Sequence, residues 1–268
     1  GNTRRIEESL CSGGSLGIRA RIQMVNRWHI LFGVVLLAGC QQEQLDDCIT
    51  RAGQEREEIR MLESFTTVDL NDRIDLVLEE RSSHTISITA GRNLLDQVST
   101  EVRDSVLYIT NGNRCNWVRS FKPRITVGVS IADVAKLILR GTGNVTNSDT
   151  LVRDHFSIDQ FNAQGTTTLT VDVNTLDVDL HTGAGDIKLY GRCDQVANLY
   201  SGIMSPMDAS GMSARFVNVN NSGVSDIRCW ATEGLTVQLR DVGDVYYRDV
   251  PLSFLETDIT GSGELIPY

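Results

Sequence analysis

Apolar and polar residues alternate with period two along most of the chain beyond residue 63. Leu176-Asp177-Val178-Asp179-Leu180, Phe216-Val217-Asn218-Val219 and Leu235-Thr236-Val237-Gln238-Leu239 place an apolar side chain at every second position. Successive side chains of a strand point to opposite faces, so the pattern predicts strands with one face buried. It also appears earlier, at 65–70, 74–78, 85–89, 106–109 and 124–129. Turn residues separate these runs at Asn71-Asp72, Ser82-Ser83 and Asn111-Gly112, while 93–96 reads as one helical turn.

A short corner recurs between the later strands. GTGNV starts at 141, AQGTT at 163, GAGDI at 183, GIMSP at 202, GVSDI at 223, DVGDV at 241 and GSGEL at 261. Successive starts are 22, 20, 19, 21, 18 and 20 residues apart. A repeat of that length is the signature of a solenoid, whose coils bury their apolar edges only by stacking. The fourth corner position reads Asn144, Thr166, Asp186, Ser205, Asp226, Asp244, Glu264, and the fifth reads Val145, Thr167, Ile187, Pro206, Ile227, Val245, Leu265. The first column is expected to face solvent and the second the core. The corner glycines are expected to supply positive φ. At 138–268 this gives a β-solenoid, and at 63–137 an N-terminal β region, either sandwich-like or a continuation of the solenoid. Pro251 and the terminal Pro267-Tyr268 are expected to blunt the last coil against edge pairing.

The glycine-rich HTGAGDIKLYG, residues 181–191, does not read as a phosphate loop. Such a loop needs a helix after its glycines, and a strand pattern follows here.

Charge narrows the partners. The chain carries a net −10, and its first 40 residues hold five Arg and two Glu, so residues 41–268 carry −13. A body that acidic is repelled by phosphate backbones, which argues against nucleic acid. The leader refines the location. MVNRWHILFGVVLLAGC, residues 24–40, has a positive start, an apolar run too short to span a bilayer, and small residues before Cys40. It resembles a bacterial lipoprotein signal, with cleavage before Cys40 and lipid on its sulfur. Residues 1–23 read as an over-extended start. Residues 41–62 are polar and acidic and read as a tether.

FTTVDLNDRIDLVLEE, then AGRNLLDQVSTEVRDSVLYITNGNRCNWVRSFKPRITVGVS, then the GTGNV, GAGDI and GSGEL corners occur in order. Together they resemble the head GIN domain family, autotransporter-type adhesin lipoproteins of Bacteroidota, over about residues 46–268. The resemblance implies an all-β chain: an N-terminal β region followed by a right-handed parallel β-helix-like solenoid. It implies no enzyme and no cofactor. AQGTT and GIMSP depart from the family's glycine pattern. Within the resembling region, Cys48 precedes the first strand and Cys115 lies in a long loop, and the two are expected to pair in an oxidising compartment. Cys193 and Cys229 fall two coils apart in the repeat, at least ~9.6 Å, beyond disulfide reach, and are expected to be free, buried and inert.

Candidate chemistry is sparse. Asp177, Asp179 and Asp186, with Asp172 and His181 nearby, form a possible weak cation patch, although a solvated strand face needs polar residues in any case. Asn116, Trp117, Arg119, Phe121 and Lys122 set aromatics beside cations on a loop and are the candidate ligand patch, against a plain anchoring role for Trp117. No Cys/His spacing suggests a metal and no nucleophile motif is present. The expected function is non-enzymatic: a lipid-anchored outer-membrane module, on the surface or periplasmic side, offering a sheet face to a protein or glycan. The alternatives are a polysaccharide-degrading enzyme on a β-helix and a purely structural envelope component. Ligand identity and oligomeric state stay open.

Overall fold

The computed structural model describes residues 52–113, 124–202, 204–248 and 252–268. Its body, within Asp47–Tyr268, is an all-β stack with a parallel β-solenoid of about six turns. The strands are β1 (Glu55–Met61), β2 (Thr67–Leu70), β3 (Asp75–Glu79), β4 (Thr85–Gly91), β5 (Val98–Arg103), β6 (Val106–Asn111), β7 (Thr126–Ser130), β8 (Lys136–Leu139) and β9 (Val145–Asn147). They continue as β10 (Leu151–Gln160), β11 (Thr167–Leu180), β12 (Ile187–Ser201), β13 (Met207–Asn221), β14 (Ile227–Cys229), β15 (Ala231–Leu239), β16 (Val245–Tyr247), β17 (Phe254–Ile259) and β18 (Leu265–Pro267). The helical turn is α1 (Arg92–Leu95).

Each coil contributes two parallel rows. Sheet A stacks β6, β2, β8, β10, then the second halves of β11, β12 and β13, then β15 and β17. Sheet B stacks β7, β3, β9, the first halves of β11, β12 and β13, then β14, β16 and β18. The corners join A to B. Alternation buries one face of each sheet: Leu107, Val68, Leu137, Ile158, Val178, Leu199, Val219 and Val237, for example, line up coil by coil in the core. Each such side chain contributes roughly 1.5–3 kcal/mol by leaving water.

The strands before residue 138 lie in the same sheets as the repeats, in a non-sequential order. β2 pairs with β6 on one side and β8 on the other, and β3 pairs with β7 and β9. The coil made first in sequence is therefore second in space. Antiparallel strands finish this end: β5 covers the edge of β6, β4 that of β7, and β1 that of β4. The charged β1 (EREEIRM) makes a poor template for further pairing. The opposite end is more open than expected. Among the described residues β17 and β18 each pair on one side only, and Leu255 and Ile259, in the rows of the buried Leu235 and Leu239, are 44% and 45% exposed. Pro251 lies outside the described residues.

Three details of the corners differ from the sequence reading. First, among the described corner glycines only Gly183 has positive φ, at 116°. Most of the others are demanded by close approach: a Cβ on Gly165 would lie 1.8 Å from the carbonyl oxygen of Gly143, and one on Gly143 1.7 Å from that of Ile74. Second, the 202 corner is one residue longer. Backbone N–H of Ile187 donates to Pro206 O as that of Thr167 donates to Asp186 O, so Pro206 holds the fourth position and Met207 the fifth, while Ser205 is buried. Third, the 202 and 223 corners, each with a single glycine, are held from inside. Buried Gln160 donates to Gly185 O (3.2 Å) and Ser205 Oγ (3.0 Å), and buried Asn221 donates to Ser225 O (3.0 Å). These amides satisfy polar groups that would be costly to bury unpaired.

Candidate functional site

The fourth corner column carries more than solvation. Asp75 Oδ1 accepts the backbone N–H of Asn144 (2.8 Å), and Asn144 Oδ1 that of Thr166 (3.0 Å). Further along, Asp226 Oδ1 accepts the N–H of Asp244 (3.1 Å), and Asp244 Oδ1 that of Glu264 (2.8 Å). A side-chain oxygen thus caps the donor directly below it in the next coil. The ladder stops between these two segments, at Asp186 and Pro206. A cavity of about 480 Å³ opens there, lined by Asp186, Lys188, Pro206, Met207, Asp208, Val224, Asp226 and Arg228 among others. Beside it runs an apolar ridge of corner tips: Met204, Val224 and Val242 are 66%, 47% and 53% exposed.

Sheet A presents a different chemistry. The outward row through Asp177, Asn198 and Asn218 is bonded head to tail: Asn198 Nδ2 donates to Asp177 Oδ1 (2.7 Å), and Asn218 Nδ2 to Asn198 Oδ1 (2.8 Å). With Tyr200, Asn220, Thr236 and Gln238, these asparagines line a shallow groove of about 290 Å³ without a charged side chain. At its edge a stack runs along the coils: the Arg140 guanidinium over Phe161 (4.9 Å), Phe161 on His181 (4.6 Å, interplanar 9°), and His181 tilted against Tyr200 (5.9 Å). Arg140 is anchored by the buried Asp69 at 3.1 Å.

Asp159, Asp179 and His181 lie beside this stack with ligating atoms all within 4.8 Å of one another, so two oxygens and a nitrogen could hold a metal ion. Lys136 Nζ already contacts Asp159 Oδ2 at 2.5 Å. Burial pushes the Asp179 carboxyl above its usual range; repulsion from Asp159 and Asp177 adds to this, while His181 and Lys136 oppose it.

The structure keeps Asp177 and Asp179 on one face of β11 and sets Asp186 apart on sheet B. Asp177 is engaged by Asn198 and lies 3.6 Å from His155 Nε2; Asp179 joins Asp159 and His181; Asp186 lines the corner cavity of sheet B. The partner of Asp179 that the sequence reading missed, Asp159, is its neighbour in register one coil back. Counting the repeat back from Asp179 would have found it. Cys193 and Cys229 are free and buried, and burial pushes the Cys229 thiol up to about 12 and raises that of Cys193. Cys40, Cys48, Cys115, Trp117, Arg119, Phe121 and Lys122 lie outside the described residues. No helix among the described residues is long and apolar enough to cross a membrane.

A family described as "Putative auto-transporter adhesin, head GIN domain" matches residues 64–251. Among solved structures, a protein of Bacteroides fragilis described as a "putative adhesin" shares 22% identity at a TM-score of 0.71, covering 80% of this chain and 97% of its own. A similarly described protein of Parabacteroides distasonis gives 18% and 0.57, covering 81% and 98%. A third, from the same species and described as a "putative lipid binding protein", gives 17% and 0.56, covering 81% and 97%. At such identities the likeness is one of fold. No curated protein matches the chain.

Proposed function

The chain belongs to the head GIN domain family, and from that premise we propose that it is a non-enzymatic binding module of the cell envelope whose ligand is a glycan seated on the groove of sheet A. The observation that carries this reading is the groove's composition. Asn198, Asn218, Asn220, Thr236 and Gln238 offer paired donors and acceptors without charge, and Tyr200 offers a ring. Sugar hydroxyls need both kinds of partner, and the C–H face of a pyranose packs on an aromatic ring. In the same proposal Cys40 carries the lipid, the tether runs from residue 41 only as far as β1, because Glu55–Met61 is paired into the body, and the body is held at the outer membrane.

The rival reading of a protein partner rests on the exposed ridge of Met204, Val224 and Val242. The polysaccharide-cleaving alternative asks for two carboxylates on either side of a scissile bond. Asp159 and Asp179 instead stand side by side in register on one sheet face.

Binding of the full chain to an array of neutral and charged glycans tests the proposal. Specific binding that Tyr200→Ala or Asn218→Ala abolishes, while Val224→Ser leaves it intact, supports it. A silent array overturns the glycan reading. Protease treatment of intact cells tests the location: digestion of the body places it outside, and protection until the outer membrane is opened places it in the periplasm.

A further inference from the structure

The gap in the corner ladder has a chemical cause. Each link needs a side-chain acceptor long enough to reach down one coil and a backbone N–H below it. Thr166 carries its oxygen one bond nearer the backbone than Asn or Asp, and no link to Asp186 forms. Pro206, directly below Asp186, has no N–H to donate and no side-chain oxygen to pass on. Asp186 is therefore an acceptor relieved of the work its column performs elsewhere. Its carboxylate makes no side-chain hydrogen bond or ion pair among the described residues, whereas Asp226 Oδ1 is held by Asp244 N–H, and Asp208 Oδ1 by Ser210 N–H (3.0 Å) and Oγ (2.5 Å). All three acids line the cavity that opens at the gap.

Two cations line it as well. Lys188, Asp208 and Arg228 follow one another in register on the outer face of sheet B. Neither Lys188 nor Arg228 has a carboxylate within ion-pair distance among the described residues, and Arg228 is held by the face of Tyr246, 4.7 Å from its centroid. The cavity thus combines three carboxylates, of which Asp186 alone is without a hydrogen bond among the described residues, two cations without an ion pair among the described residues, and an apolar wall of Pro206 and Val224. Uncommitted groups of both signs on an apolar wall match a ligand that carries an anion, several hydroxyls and a C–H face.

We propose that the pocket opened by Pro206 is a binding site for an acidic sugar residue, its carboxylate taken by Arg228 and Lys188 and its hydroxyls donating to Asp186. The site lies on sheet B and does not rest on the sheet A groove being a glycan site. It is built by the departure from the corner pattern: a residue with both an N–H and a side-chain acceptor at 206 would close the ladder and fill the gap.

Saturation-transfer NMR on the full chain, with glucuronate as the probe and glucose as its neutral counterpart, tests this. Transfer to glucuronate is expected, with glucose at least about tenfold weaker, because the uncommitted cations have nothing to pair with in the neutral sugar. Arg228→Met and Asp186→Asn, both surface changes, are expected to abolish the signal with an unchanged melting temperature. Pro206→Asn is expected to abolish it while raising the melting temperature, a combination that loss of structure cannot produce. Tyr200→Ala is expected to leave it intact, which separates this site from the sheet A groove. Equal transfer to both sugars, no transfer, survival of the signal in Pro206→Asn, or its loss in Tyr200→Ala would overturn the proposal.

Discussion

Asn144 Oδ1 accepts the backbone N–H of Thr166, one coil further along, at 3.0 Å. That bond explains why the fourth corner position is polar. The N–H at a sharp bend falls outside the strand ladder, and the residue above supplies its acceptor. Asn144→Ala is expected to destabilise the fold by about 1 kcal/mol, and Asn144→Asp by much less, since Asp keeps the acceptor. Urea denaturation of the three proteins measures the difference.

The corner glycines are expected to differ sharply in tolerance. Gly165→Ala drives a methyl to 1.8 Å from the Gly143 carbonyl, where only backbone can give way. A loss of about 3 kcal/mol or more is expected, as for other overpacked sites. Gly202→Ala meets only the Tyr200 hydroxyl, at 2.6 Å, which can swing aside. Its melting temperature should stay near that of the parent.

At the open end, depth in the stack should set the cost of truncation. Leu235→Ala removes a fully buried side chain and is expected to cost about 2–5 kcal/mol. Leu255→Ala, its register partner on β17, is expected to cost about 1 kcal/mol or less, because much of that side chain already faces water. Equal losses would mean that the last coil is covered in solution.

The raised thiols predict chemistry and pH dependence together. With burial holding the Cys229 thiol up to about 12, peptide mapping after alkylation at pH 8 should find Cys229 unlabelled in the folded protein and labelled in urea. The neutral thiol is favoured on folding, so its contribution is complete below the ordinary thiol value of 9.0 and is lost as pH rises from there toward about 12. Alkaline unfolding should therefore begin later in Cys229→Ala than other core truncations would suggest.

Asp179 gives the opposite window. Its carboxyl is raised by burial first and by Asp159 next. The folded state then holds its proton more tightly than the unfolded one, a contribution present below the usual 3.8 and lost as pH rises through the raised value. Asp179→Asn should stabilise the protein at pH 7, with the gain vanishing in acid. Thermal melts at pH 7 and pH 3.5 check the sign.

Alternation and the twenty-residue period made the strands, the corners and the core rows legible, because burial on one sheet face leaves its mark at every second residue. Four things were not legible. The close approach at Gly165 depends on the coil above, so the sequence suggests positive φ where the constraint is a neighbouring carbonyl. The shift that places Pro206 below Asp186 comes from one extra residue in the 202 corner, absorbed by Gln160 reaching in from two coils back; no local pattern records it. The Asp159–Asp179–His181 group is visible only after the repeat register is applied across coils. The groove through Asn198 and Asn218 leaves no mark in the sequence, since composition alone does not reveal head-to-tail bonding.

The displaced coil at the start of the stack has a temporal meaning. β2 and β3 leave the ribosome before either neighbour, yet Asp75 and Asn144, which join across one step of the stack, are 69 residues apart, whereas later steps such as Asp154 to Asn174 span 20. Closing the long segment costs entropy before any contact rewards it. During synthesis or secretion the first coil can pair with β6 and β7, but its other edge must wait for β8 and β9 to arrive; after that, each new twenty residues can settle on a finished template. The slowest event in assembly thus belongs to the beginning of the chain, and the remainder follows as growth from a seed.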